Sequence, residues 1–151
     1  MKSSLTIEYQ KYSSMEQLRE QDRELLLLAR ARAASAYAPY SKFRVGAALR
    51  LEGGEMISAA NIESEVFPAG VCAERALLNF VRSDHPNVRI EAMAITSIST
   101  LEECYPCGMC RQAILDAERV QGSKINIIMG GASSATIVDS AELLLPFTFK
   151  L

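Results

Sequence analysis

One histidine, no long apolar run and no excess of positive charge mark this 151-residue chain by what it lacks. The longest apolar run, Leu25 to Leu28 with Ala29, falls far short of the ~20 residues that span a bilayer. The polar opening, MKSSLTIEYQKYSS, has no signal-peptide core, so the expected compartment is the cytoplasm, with no membrane partner. Sixteen Lys and Arg stand against 18 Asp and Glu, a formal net charge of -2 without a basic stripe, which argues against a dedicated nucleic-acid binder. The lone histidine, His85, sits in the turn-like Ser83-Asp84-His85-Pro86, and no second histidine is available for a Ser-His-Asp arrangement. The glycines near Gly53, Gly108 and Gly130 do not make a phosphate loop. No Pro/Gly/Ser-rich linker or internal repeat interrupts the chain, which reads as one domain over 1–151, with 1–14 as an N-terminal extension.

What is present suffices for a core: 49% of residues are hydrophobic and 23% charged. Ser13-Ser14-Met15-Glu16 offers a capping-box start to a helix whose apolar positions recur up to Tyr37-Ala38-Pro39. Phe43, Val45, Ala47, Leu49 and Leu51 alternate with Lys42, Arg44, Gly46, Ala48 and Arg50, predicting a strand. The Gly53-Gly54 turn pairs it with Met56 to Ala60 as a hairpin. Cys72 to Arg82 reads as a second helix, Ile90 to Ile98 as a strand, Cys107 to Arg119 as a third helix and Lys124 to Met129 as a strand. A crossover of that length favours parallel pairing, so the sheet should be mixed. Thr136 to Val138 would add a fifth strand, and Ala141 to Leu145 a final helical turn before Pro146.

Four cysteines carry the chemistry. Cys104, Cys107 and Cys110 form a C-x2-C-x2-C run, and Cys72 lies upstream; structural disulfides are disfavoured in a reducing compartment. An iron-sulfur cluster is one reading, but the x3-C-P continuation of the ferredoxin pattern is replaced by Arg111-Gln112-Ala113-Ile114. A closed zinc site using all four thiolates is a second. A third is a catalytic zinc held by Cys72, Cys107 and Cys110 with an open position for water. Residues three apart at a helix start share a face, so Cys107 and Cys110 can grip one ion. Two helix N-termini would offset the surplus charge of three thiolates, and Arg75 and Arg111 are placed to donate hydrogen bonds to the sulfurs. Glu74, two residues after Cys72, supplies a carboxylate that can move a proton without ligating the metal. Cys72-Ala73-Glu74 followed by Pro106-Cys107-Gly108-Met109-Cys110 matches the all-cysteine form of the zinc deaminase signature.

At this point the chain resembles the cytidine deaminase family, in its small homotetrameric type. The match runs from Ala36-Tyr37-Ala38-Pro39-Tyr40-Ser41-Lys42-Phe43-Arg44-Val45-Gly46 through Asn61-Ile62-Glu63 and the two metal segments to Glu142-Leu143-Leu144-Leu145-Pro146. The resemblance implies a three-layer α/β/α fold with a mixed five-stranded sheet, one Zn2+ per subunit, and deamination of free cytidine and 2'-deoxycytidine. It implies that Asn61 and Glu63 bind the ribose 3'-hydroxyl, that Phe43 packs on the pyrimidine, and that Phe149 enters a neighbouring subunit's site. Ser64-Glu65 and Phe67 depart from the family's Asn-Ala and tyrosine, so Glu65 and Phe67 bear on which nucleoside is taken; a cationic, blasticidin-like aminonucleoside is the alternative. Two other classes compete: a polynucleotide-editing deaminase, which needs a basic groove, and a non-catalytic zinc module, which needs no Glu74.

Overall fold

The computed structural model describes all 151 residues. Its first strand, β1 (Gln10–Tyr12), lies in the stretch read as an extension. A 3-10 turn over Met15–Gln17 follows, closed by a capping box in which Gln17 Oε1 accepts from the Ser14 amide at 3.3 Å. The box is shifted one residue from the Ser13 to Glu16 reading, and the turn does not run on as a helix. Leu18 adopts an extended backbone (ψ 151°) and buries its side chain, and α1 (Glu20–Ala33) starts beyond it. The remaining elements are β2 (Val45–Leu51), β3 (Met56–Ala60), α2 (Ala73–Asp84), β4 (Ile90–Ser97), α3 (Gly108–Gln121), β5 (Asn126–Gly130) and β6 (Ala135–Val138), then a 3-10 turn over Ala141–Leu144. Gly122, in the left-handed region at φ 68°, ends α3 as no L side chain would do readily.

The strands form one mixed sheet in the order β1-β6-β5-β4-β2-β3. β4 and β5, joined through α3, pair in parallel, and every other neighbouring pair is antiparallel. The expected sheet had five strands; the sixth is β1, which pairs with β6 from Gln10 opposite Ile137 to Tyr12 opposite Ala135. Three residues are too few for a period-2 pattern to declare itself. Only the free edge of β6 makes them a strand.

Both faces of the sheet are covered, which changes the meaning of the alternation in β2. Val45, Ala47, Leu49 and Leu51 do face one layer, where α2 and α3 bring Leu77, Val81, Ile114 and Leu115. The opposite positions, Gly46, Ala48 and Arg50, are buried under α1 rather than solvated. The alternation predicts the strand without telling what covers its second face, because α1 lies in another part of the chain. On that side the sheet offers small residues, Ala48, Ala92 and Ala94, to Leu25, Leu26 and Ala29 of the helix. Full burial of a leucine contributes about 1.5–3 kcal/mol, and here it requires a close helix. Arg50, 5% exposed, is neutralised by Asp22 of α1 at 3.2 Å and by Glu91 at 3.3 Å.

Gly46 sets the closeness of α1: a Cβ there would overlap the carbonyl oxygen of Ala29. Gly46→Ala is expected to cost roughly 1–3 kcal/mol by forcing the helix away from the sheet. Urea unfolding followed by circular dichroism measures it, and a midpoint equal to the wild type's would show that the approach is not limiting.

Candidate metal centre and substrate pocket

α2 and α3 each begin at a cysteine. Cys72 and Cys107 are the N-cap residues, both with extended backbone and neither using its side chain to cap the helix. Cys110, buried, sits in the first turn of α3. The three sulfurs lie within 4.8 Å of one another. Tetrahedral zinc with Zn–S of ~2.3 Å needs sulfurs about 3.8 Å apart, so the donor set and spacing fit that ion. Cys104 is not in the cluster. Its amide is spent on Gly130 O at 3.1 Å, and burial pushes its thiol up to about 11, so the four-thiolate and iron-sulfur readings lose a ligand.

Electrostatics in the cluster favour thiolate at Cys72. The hydrogen bond from Cys110 draws the Cys72 thiol down to about 6 against the opposing effect of burial, and the Arg75 charge adds to the pull. The same bond keeps the proton on Cys110, whose value is pushed up. Two helix N-termini, each equivalent to roughly half a positive charge, face the sulfurs. Glu74, 4% exposed in the first turn of α2, has its carboxyl pushed up by burial, with hydrogen bonds from its own amide and from Cys110 opposing the shift. A buried carboxyl beside a metal site, and outside the ligand set, is suited to accept and return a proton.

A cavity of about 470 Å³ opens at the cluster, with Cys72, Arg75, Cys107 and Met109 on one side and Tyr40, Asn61, Glu63 and Phe67 on the other. Its size is that of a small-ligand site. Asn61 and Glu63 both line it, yet both also hold backbone. Asn61 Nδ2 donates to Phe43 O at 2.9 Å, and its Oδ1 accepts from the Val45 amide at 2.8 Å. Glu63 accepts from the Tyr40 amide at 2.9 Å and from the Ser41 amide and hydroxyl; the Ser41 hydroxyl is the main reason its carboxyl is held below the usual range. Phe67 packs edge-on to Tyr40, centroids 5.9 Å apart.

The other expected residues are distributed differently. Phe43 and Glu65 are exposed and outside the lining. Phe149, 68% exposed, lies by Arg119, which donates to its carbonyl at 3.0 Å. Arg119 is 11 residues along α3 from Gly108, or about 17 Å at 1.5 Å per residue, so Phe149 is not part of its own chain's cavity. Arg75 lines the cavity, but its guanidinium lies 3.0 Å from Met109 Sδ rather than on a cysteine sulfur. Arg111 also departs from the expected sulfur contact: its Nε donates to Pro106 O at 2.8 Å and its Nη1 to Leu144 O at 3.0 Å. Its planar fork fits two carbonyls, and so it ties the loop before Cys107 to the C-terminal turn. Met109 and Tyr40 were not singled out from the sequence; Met109 lies inside the C-x2-C spacing, a signal that an exposed apolar residue there faces the site.

The family model described as the cytidine and deoxycytidylate deaminase zinc-binding region matches residues 19–124. The chain is 38% identical over 97 residues to a cytidine deaminase of Halalkalibacterium halodurans, covering 63% of this chain and 71% of that one. It is 43% identical over 89 residues to one of Sporosarcina psychrophila, covering 58% and 62%. A blasticidin-S deaminase of Bacillus cereus is 33% identical over 109 residues, covering 64% and 73%. Among solved structures, the cytidine deaminase of Burkholderia pseudomallei superposes with a TM-score of 0.69 at 30% identity, covering 83% of this chain and 97% of that one.

The ligand set has a direct test in metal content. Cys107→Ala is expected to lose stoichiometric zinc and Cys104→Ala to keep it, read by elemental analysis of the purified proteins. Zinc retained in the first variant, or lost from a folded second, contradicts the assignment.

Proposed function

Because the chain belongs to the cytidine and deoxycytidylate deaminase zinc-binding family, we propose that it hydrolyses cytidine and 2'-deoxycytidine to uridine and 2'-deoxyuridine with release of ammonia. The observation that carries this reading is Glu74, buried and hydrogen-bonded to Cys110 of the three-sulfur cluster, whose Cys72 and Cys107 line a nucleoside-sized cavity. Cys72, Cys107 and Cys110 would hold zinc, which would supply the Lewis acidity that makes a water nucleophilic near neutral pH. Glu74 carries the protons: its carboxyl, raised by burial, takes one from the attacking water and passes it to pyrimidine N3, then takes the second from the hydroxyl added at C4 and delivers it to the amine, which leaves as ammonia as the C4 carbonyl forms.

On the sugar side Glu63, kept anionic by Ser41, accepts from the ribose 3'-hydroxyl, and Asn61 holds the same region. Phe43, whose carbonyl is held by Asn61 of the lining, would reach the pyrimidine only by turning into the cavity, since it stands exposed outside the lining. Arg75 offsets the thiolate charge from beside Cys72. A homotetramer would complete the site: Phe67 and Met109 of the lining are 75% and 62% exposed, and Phe149, 68% exposed, lies outside its own chain's cavity. No helix of the chain is long and apolar enough to cross a membrane. The cytoplasm suits a chain whose cysteines are all free.

The aminonucleoside reading has one support, the blasticidin-S deaminase relative. Glu65 does not line the cavity of its own chain, so a cationic substituent would meet it only across a subunit boundary. Cytidine is the substrate the geometry favours. Free nucleosides rather than polynucleotides suit a chain of net charge -2 without a basic groove.

Glu74→Gln is expected to lower kcat on cytidine by at least ~10²-fold with zinc content unchanged, followed by the loss of cytidine absorbance. Near-normal turnover would refute the proton-carrier role. Glu65→Ala should leave the catalytic efficiency on cytidine within about twofold of wild type, since the residue lies outside the cavity lining; a large gain or loss would instead give Glu65 a part in substrate choice.

A further inference from the structure

The stretch Lys42–Arg44, just before β2, lies outside the regular strands, and its one backbone hydrogen bond to the chain after β4 runs from the Ile98 amide to Arg44 O at 3.3 Å. The last register pair of β2 with β4 is Val45 opposite Ser97. Ahead of it Lys42 takes a left-handed backbone, φ 60°, which a long L side chain rarely adopts and which stops the regular ladder. Side chains supply the other hydrogen bonds on this edge. Ser97 Oγ donates to Arg44 O at 2.7 Å and accepts from the Ser99 amide at 3.0 Å. Ser99 Oγ donates to Lys42 O at 3.0 Å and accepts from the Arg44 amide at 2.9 Å. On the opposite edge Asn61 takes Phe43 O and the Val45 amide. Alternate residues of an extended chain point their backbone groups to opposite edges, so the two serines and the asparagine divide the work without competing.

From this clamp a chain of hydrogen bonds leads to the sugar side of the cavity. The Phe43 amide donates to Ser41 Oγ at 3.0 Å, and the Ser41 hydroxyl in turn donates to Glu63. We infer that Ser99, supported by Ser97, is a positioning residue for nucleoside binding: it fixes the Lys42–Arg44 backbone and through it the Ser41–Glu63 contact and Phe43. The inference rests on the deaminase reading above. Its signature follows from the fold. Glu74 and the three sulfurs stand on α2 and α3, and none of the clamp's hydrogen bonds reaches them. Loss of the clamp therefore weakens substrate binding and spares the chemical step.

The test uses the full chain with zinc, comparing wild type, Ser99→Ala and Ser99→Thr. Ser99→Ala is expected to raise KM for cytidine about 5- to 10-fold, the worth of about one net hydrogen bond, with kcat within about twofold and zinc content unchanged. Ser99→Thr keeps the hydroxyl and should bring KM back to within about twofold of wild type. Hydrogen exchange at the amides of residues 43–45 should quicken in Ser99→Ala and not in Ser99→Thr. An unchanged KM in Ser99→Ala, a Ser99→Thr as impaired as Ser99→Ala, or a fall in kcat without a rise in KM overturns the positioning role. A wild-type protein inert on cytidine would instead count against the deaminase reading. The exchange data would then decide the clamp alone, with unchanged rates refuting it.

Discussion

Everything at the site depends on two helices starting at the same point. α2 and α3 pack on one face of the sheet, and each opens with a cysteine whose sulfur is free of capping duty. Their meeting brings three sulfurs within 4.8 Å and points two sets of unpaired amides at them. Thiolates so close would repel one another, and the helix ends make the accumulation tolerable. The same convergence buries Glu74, because the residue two after the Cys72 cap falls in the first turn, facing the partner helix. The sulfur cluster and the raised carboxyl pKa are thus two results of one packing event.

That packing is made possible by the unequal faces of the sheet. Under α2 and α3 the strands present Leu49, Met93, Ile95, Ile127 and Met129; under α1 they present Ala48, Ala92 and Ala94. Small residues bring α1 close and leave no room for adjustment, with Gly46 at the point of nearest approach. The Asp22–Arg50 pair buried beneath the helix locks its register, since either charge alone in that layer would be costly.

The two halves of the cavity are built on different principles. The metal half stands on helix termini, rigid elements in which each ligand's place follows from its own helix. The half bearing Asn61 and Glu63 stands on loops, where these two side chains spend their polar atoms on backbone. A side chain that both lines a cavity and holds a loop has its orientation set before any ligand arrives, and this lowers the cost of binding.

The spacing of Cys72, Glu74, Cys107 and Cys110 was legible in the sequence because it is local: helical geometry alone places residues three apart on one face. The hairpin and the parallel β4–β5 crossover were legible for the same reason, from short-range periodicity and connection length. What reading could not supply depends on partners far along the chain. β1 is a strand only because β6 has a free edge 125 residues later, at Ala135 opposite Tyr12 up to Ile137 opposite Gln10. Arg111 serves carbonyls of Pro106 and Leu144 rather than sulfur because the C-terminal turn folds back against α3. Arg50 is buried because α1 covers the second face of β2 and brings Asp22 to it. The sequence by itself determined which atoms can bind zinc and move a proton; the tertiary structure decided which polar side chains are spent on holding the backbone, since those bonds link residues whose proximity no local rule contains.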